Sequence, residues 1–119
     1  MDVNKQLIDE SIESFREYLP KLIKGSEQVL EYFQSQQDGE AFSTLVYVIE
    51  GLQWTLDLVS LISPHLESKG IIIEESRITE VMNDFHQALE NQDLVLISDI
   101  LEYEVLEILR EWLNSLNKH

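Results

Sequence analysis

The chain has 119 residues, which suits one domain spanning residues 1–119 with a core that needs no covalent staples. A hydrophobic content of 44% excludes a disordered tail, and only four glycines and two prolines argue against a turn-rich β fold. A net charge of −15 repels phosphate backbones and anionic lipid, and the absence of cysteine excludes disulfides and thiolate metal sites.

The opening residues, MDVNKQLIDESIES, are polar and acidic and lack the apolar stretch of a signal peptide. No apolar run is expected to reach the roughly 18 residues of a membrane span. The longest candidate, residues 45–62, is interrupted by Glu50, Gln53 and Asp57. Together with the missing cysteines, this predicts a cytoplasmic location without membrane contact.

The first predicted helix covers residues 4–36. Ile8, Ile12, Phe15, Leu19, Leu22, Ser26, Val29 and Phe33 recur at alternating steps of four and three, a heptad-like seam. Pro20 interrupts it, yet the apolar phase is the same on both sides. One helix kinked at Pro20 is expected, with two short collinear helices as the alternative. Tyr18 and Tyr32, with Gly25 between them, run beside the seam. Gly25 would let another helix approach closely or relieve the kink. Asp38-Gly39 is the predicted turn.

The second helix is predicted over residues 40–67, ended by Pro64 and Gly70. Phe42, Leu45, Ile49, Leu52, Leu56 and Val59 form one face; Tyr47, Trp54, Leu58 and Leu61 form another. A helix apolar over most of its circumference should be the most buried. Ile71, Ile72 and Ile73 then read as an extended lid over one end of the bundle. The third helix, residues 74–90, turns Ile78, Val81, Met82, Phe85 and Leu89 inward, and Asp93 is the expected N-cap of the next.

The fourth helix, residues 94–117, places Leu94, Leu101, Val105, Ile108, Trp112 and Leu116 on one face, bordered by Ile97 and Leu109. A regular helical repeat puts Glu102 and Glu104 on opposite flanks and points Tyr103 away from the core, with Leu96 and Ile100 near it. Of the two, Glu104 is the candidate for partial burial, because an alternative heptad phase through Leu94, Ile97, Leu101 and Ile108 would bring it inward, where a carboxylate needs a hydrogen-bond partner. Four helices with short connections predict an all-α, antiparallel up-down-up-down bundle.

Catalytic motifs are missing from this pattern. A di-iron bundle needs Glu-x-x-His, which does not occur; His65, His86 and His119 are far apart in sequence. Asp99, Glu102, Glu104 and Glu107 cluster in sequence but do not converge on a regular helix. There is no Gly-x-Ser-x-Gly elbow, Gly-x-Gly-x-x-Gly or P-loop, and no basic patch interleaved with aromatic residues. No metal, cofactor, catalytic residue or nucleic-acid partner is therefore expected.

The residues Asp99, Leu101, Glu102, Tyr103, Glu104 and Trp112 form an Asp-x-Leu-Glu-Tyr-Glu block followed by Trp. This block resembles the C-terminal segment of a group of small, uncharacterised bacterial helical proteins. The resemblance covers about a sixth of the chain and implies a bacterial, cytoplasmic helical protein with no known chemistry. Charge and length are similar in class to those of flagellar export chaperones, without a matching motif.

The doubled apolar surface is the most informative feature. Tyr47, Trp54, Leu58 and Leu61 on the second helix, and Leu96, Ile100 and Tyr103 on the fourth, exceed what a minimal bundle needs. Either the bundle packs irregularly and buries them, or they form a protein-binding face. The leading expectation is a non-enzymatic interaction module, adaptor, regulator or chaperone-like, binding a partner (a basic one among the candidates) or a second copy. The alternatives are an acidic immunity or antitoxin-type inhibitor of a basic protein, and an enzyme with an unrecognised carboxylate pocket.

Overall fold

A computed structural model describes residues 2–118, with side chains described from Lys5 onward. His119 lies outside the described residues. Helix α1 spans Asp2–Gln34, α2 Asp38–Ser68 and α3 Glu75–Glu90. The fourth rod begins as α4, Leu94–Ile100, passes through a π-helical turn at Leu101–Val105 and continues as α5, Leu106–Asn117. Backbone angles at its junctions, Ile100, Leu101, Val105 and Leu106, are all right-handed helical, so the rod is continuous. The four rods form an antiparallel bundle, and no strand occurs among the described residues. At 51 × 22 × 22 Å it is elongated, its length set by α1, whose 33 residues rise about 50 Å.

The seam of α1 is observed as read. Ile12, Phe15, Leu19, Leu22, Ser26 and Val29 are buried, while Ile8 and Phe33 are half-buried against the same core. The Ser26 hydroxyl donates to the Leu22 carbonyl at 2.9 Å, which makes its burial tolerable. A single helix passes through Pro20, and the two-helix alternative falls away. Pro20 faces water, so the Arg16 carbonyl left without its usual partner lies on the solvated side.

Each of the first three helices ends in a Schellman motif. After α2, the Gly70 N–H donates to the Glu67 carbonyl and the Ile71 N–H to the Leu66 carbonyl, each at 2.9 Å. Gly70 supplies the left-handed φ of +83° that this closure needs. The closure sends Ile71 under the bundle end, where Ile71 and Ile73 are buried and Ile72 stays exposed. The same motif ends α1 with Gln36 at φ 60° and α3 with Gln92 at φ 52°. The first turn is therefore at residues 35–37. Asp38 and Gly39 lie inside the first turn of α2, where the Asp38 carboxylate suits the positive helix end.

Three further expectations are corrected. Pro64 does not end α2, which runs on to Ser68; the proline faces solvent and Gly70 makes the stop. Nor is α2 buried over most of its circumference: Phe42, Val46, Tyr47, Trp54 and Leu61 all remain exposed on it. By length and composition alone α2 would also qualify as a membrane span, with an 18-residue window of mean hydropathy 1.4. The interrupting polar residues are too sparse to lower that mean. In the bundle 39% of the window is buried, and the rest carries the exposed row described below.

Helix α4 starts as expected, the Leu96 N–H donating to the Asp93 carboxylate at 3.0 Å. The π turn is what the sequence did not announce. The Leu106 N–H bonds the Leu101 carbonyl, five residues back. In a regular α-helix residues five apart diverge by about 140°. Here Ile100 and Val105, and likewise Leu101 and Leu106, are all buried. The wider turn holds each pair on the inner side and keeps the upstream phase of Ile97 in step with Leu109, Trp112 and Leu116. Trp112 is buried and meets Phe15 edge to face at 6.1 Å between ring centroids.

Candidate functional site

An outward row on α2 collects most of the residues singled out from the sequence. Tyr47 is 73% exposed, Trp54 43% and Leu61 54%, with Leu58 half-buried between the last two. Their spacing of seven, four and three residues keeps them on one side of a helix. Why that side stays open follows from what α2 packs on. Its inward residues, Ala41, Leu45, Val48, Leu52, Thr55, Val59, Ile62 and Leu66, form one tight stripe. A second apolar stripe on the same helix has no rod left to cover it.

The row is supported from beneath. Tyr18 of α1 meets Trp54 edge to face at 4.8 Å, fixing the indole against the bundle while leaving one side in water. Tyr18 can reach that position because Gly51 lacks a side chain. A Cβ there would stand 2.4 Å from the Tyr18 hydroxyl oxygen and 2.8 Å from a Leu22 methyl. Gly51, not Gly25, is thus the close-approach glycine: a Cβ at Gly25 would only touch Val48 at an ordinary 3.5 Å. A shallow groove between α1 and α2 continues the surface past Tyr18, Lys21, Gly25, Thr44 and Tyr47. Glu50 and Asp57 are exposed along the edge of the row.

The fourth rod contributes less than expected. Leu96 is 41% and Tyr103 64% exposed, but Ile100 is 1% exposed and belongs to the core. The expectation for Ile100 assumed a regular helix, and the π turn after it removes that premise. Tyr103 sits within the π turn itself.

Glu104 is likewise corrected. It is exposed rather than buried, and no hydrogen bond from its side chain is among those seen. Partial desolvation nevertheless raises its carboxyl above the ordinary glutamate range, and the carboxylates of Asp84 and Glu80 on α3 push the same way. Asp99, Glu102, Glu104 and Glu107 were not expected to converge; the acids that act on Glu104 come instead from α3. His86 lies 3.5 Å from Glu90 on the surface of α3. Among the described residues no group of three or more His, Asp or Glu side chains is arranged to hold a metal ion.

Comparison with curated proteins and with solved structures gave no match. Residues 10–115 match the model of a domain of unknown function, DUF8042. That span runs from the third turn of α1 to near the end of α5 and takes in the packed core except Leu116 and the flanking Ile8. By that coverage the chain belongs to the DUF8042 family.

Proposed function

We propose that this protein is a non-catalytic interaction module that binds another protein through the outward row of α2. The observation that carries the reading is the alignment of Tyr47, Trp54 and Leu61, three large apolar side chains exposed on one face, with Trp54 braced by Tyr18. Ordered aromatic residues lose little freedom on contact and are favoured anchors in protein interfaces. Leu96 and Tyr103 on the fourth rod would add a second, smaller contact.

Charge favours a basic partner over a second copy. Two copies at −15 each repel, whereas the carboxylates beside the row, Glu50 and Asp57, steer a cationic protein toward it. A cytoplasmic setting and a bacterial source belong to the same reading, resting on the lack of cysteine and on the Glu102-Tyr103-Glu104 block with Trp112. The competing reading of an acidic inhibitor differs in its salt response. An acid-driven complex weakens steeply with salt, while one held by the α2 row responds weakly.

The test is a paired capture from native lysate. Wild-type protein and the variants Tyr47→Glu and Leu61→Glu are immobilised, after circular dichroism shows equal helicity. A protein retained by wild type and lost from both variants supports the reading. Identical retained sets sink it.

A further inference from the structure

All eight Lys and Arg residues fall in three stretches, residues 5–24, 69–77 and 110–118. Antiparallel order keeps all eight away from the end of the rod opposite the α2–α3 turn. Residues 25–68 and 78–109 contain none. The opposite end, built from the turns at 35–37 and 91–93, therefore presents the carboxylates Asp38, Glu40, Glu90, Asp93 and Asp99 with no Lys or Arg among them. Four of the cations are already engaged elsewhere: Arg16 with Glu13, Lys69 with Asp9, Arg77 with Glu111 and Arg110 with Glu27.

The same end is not fully closed. Phe33 of α1 and Phe42 of α2 pair with each other edge to face, 5.6 Å apart. Beside them a crevice of about 400 Å³ opens among Phe42, Leu89, Gln92, Leu94 and Ile97. Leu94 also borders a second opening of about 270 Å³, with Phe33, Asp38, Val95, Ser98 and Asp99. Val95, 73% exposed, is an apolar residue left on its rim. An apolar recess ringed by one sign of charge selects a ligand with an apolar tip and the opposite charge around it.

We propose that this end seats a cationic amphipathic helix of a partner protein, its apolar side chains entering the recesses beside Leu94 and its Lys or Arg meeting Asp38, Glu90 and Asp99. The same end of a second copy has no cation to offer, and anionic lipid is repelled. The inference rests on the interaction-module reading and adds a second contact, at the end of the bundle, to the α2 row.

The probe is a fluorescein-labelled helical peptide of about 14 residues made of Leu and Lys at amphipathic spacing, followed by anisotropy. Three neutralised acids at this end, Asp38→Asn, Glu90→Gln and Asp99→Asn together, are compared with three at the other end, Glu10→Gln, Glu67→Gln and Glu74→Gln. Both sets change net charge equally, and neither introduces a new charge. The first set, and Val95→Gln by itself, are expected to weaken binding about tenfold, the second set less than about twofold. Equal weakening by the two sets would mean generic attraction to an acidic rod and would overturn the proposal. Loss with Leu61→Glu but not with the first set would place the peptide on α2, overturning the end site while leaving the proposed function standing. No peptide binding, alongside a partner captured through the α2 row, does the same. Binding of the protein to phosphatidylcholine or phosphatidylglycerol vesicles, reversed by Val95→Gln, would overturn it in favour of a membrane.

Discussion

Substituting Ala at Gly51 and at Gly39 should shift stability in opposite directions. Both glycines lie within α2, and Ala in a helix interior is favoured over Gly by about 1 kcal/mol. At Gly39, in the first turn, nothing lies within 4 Å of the new Cβ, so a gain of up to about 1 kcal/mol should appear. At Gly51 the new methyl meets the Tyr18 hydroxyl at 2.4 Å and a Leu22 methyl at 2.8 Å, both closer than such atoms can approach. Tyr18 must swing out, or α1 and α2 must separate. Overpacking of this kind costs about 1–3 kcal/mol, so the net change should be a loss of roughly 0–2 kcal/mol. Tyr18 also braces Trp54, so Trp54 emission should change with Gly51→Ala and not with Gly39→Ala. Urea unfolding followed at 222 nm gives the stabilities. Tyr18→Phe in the Gly51→Ala background removes the closest of the two contacts and should restore part of the loss. If Gly51→Ala stabilises as much as Gly39→Ala, the close packing of α1 on α2 is not as described.

Three other outcomes follow from the same geometry. Gln36→Gly relieves a left-handed backbone in an L-residue and should stabilise by about 0.5–1 kcal/mol; a lowered urea midpoint would contradict this. Asp93→Ala removes the cap on Leu96 and should cost about 1 kcal/mol, with faster amide exchange in the first turn of α4 as the local sign. Glu104→Gln should stabilise the protein at pH 7, because the folded carboxyl holds its proton more tightly than the unfolded one and its ionised form is disfavoured by folding. That advantage should shrink as pH falls through the raised folded value and vanish below the ordinary glutamate range, where both states are protonated. A difference independent of pH would remove the electrostatic explanation.

The parts of the fold carried by side-chain periodicity were legible in the sequence. The α1 seam survives Pro20 because an exposed proline disturbs the hydrogen-bond ladder without moving Phe15 or Leu22 off the inner face. Asp93 was legible as a cap because its chemistry is local. What depends on backbone choice was not. Gln36 and Gln92 adopt a conformation that sequence rules assign to Gly or Asn, which displaced the first turn onto Asp38 and Gly39. The π turn at residues 101–105 inserts one residue into the repeat, so Ile100, placed on the outside by a 100° step, is in fact core. In the candidate site, Leu96 and Tyr103 were read as outward and are exposed; for Tyr47, Trp54 and Leu61 the pattern left burial and exposure open, and packing leaves them exposed. The contribution of Gly51 was invisible, since close approach is a property of two helices and not of one.

Trp54 offers the most direct test of the α2 row. In a Trp112→Phe background it is the sole indole, and its 43% exposure should leave it open to quenching by acrylamide. Quenching is then measured on the free protein and on its complex with the partner captured by wild type. The account predicts that binding shields Trp54 and shifts its emission to the blue. Identical quenching in the free and bound states would show that the partner docks elsewhere, and the row would lose its assigned role.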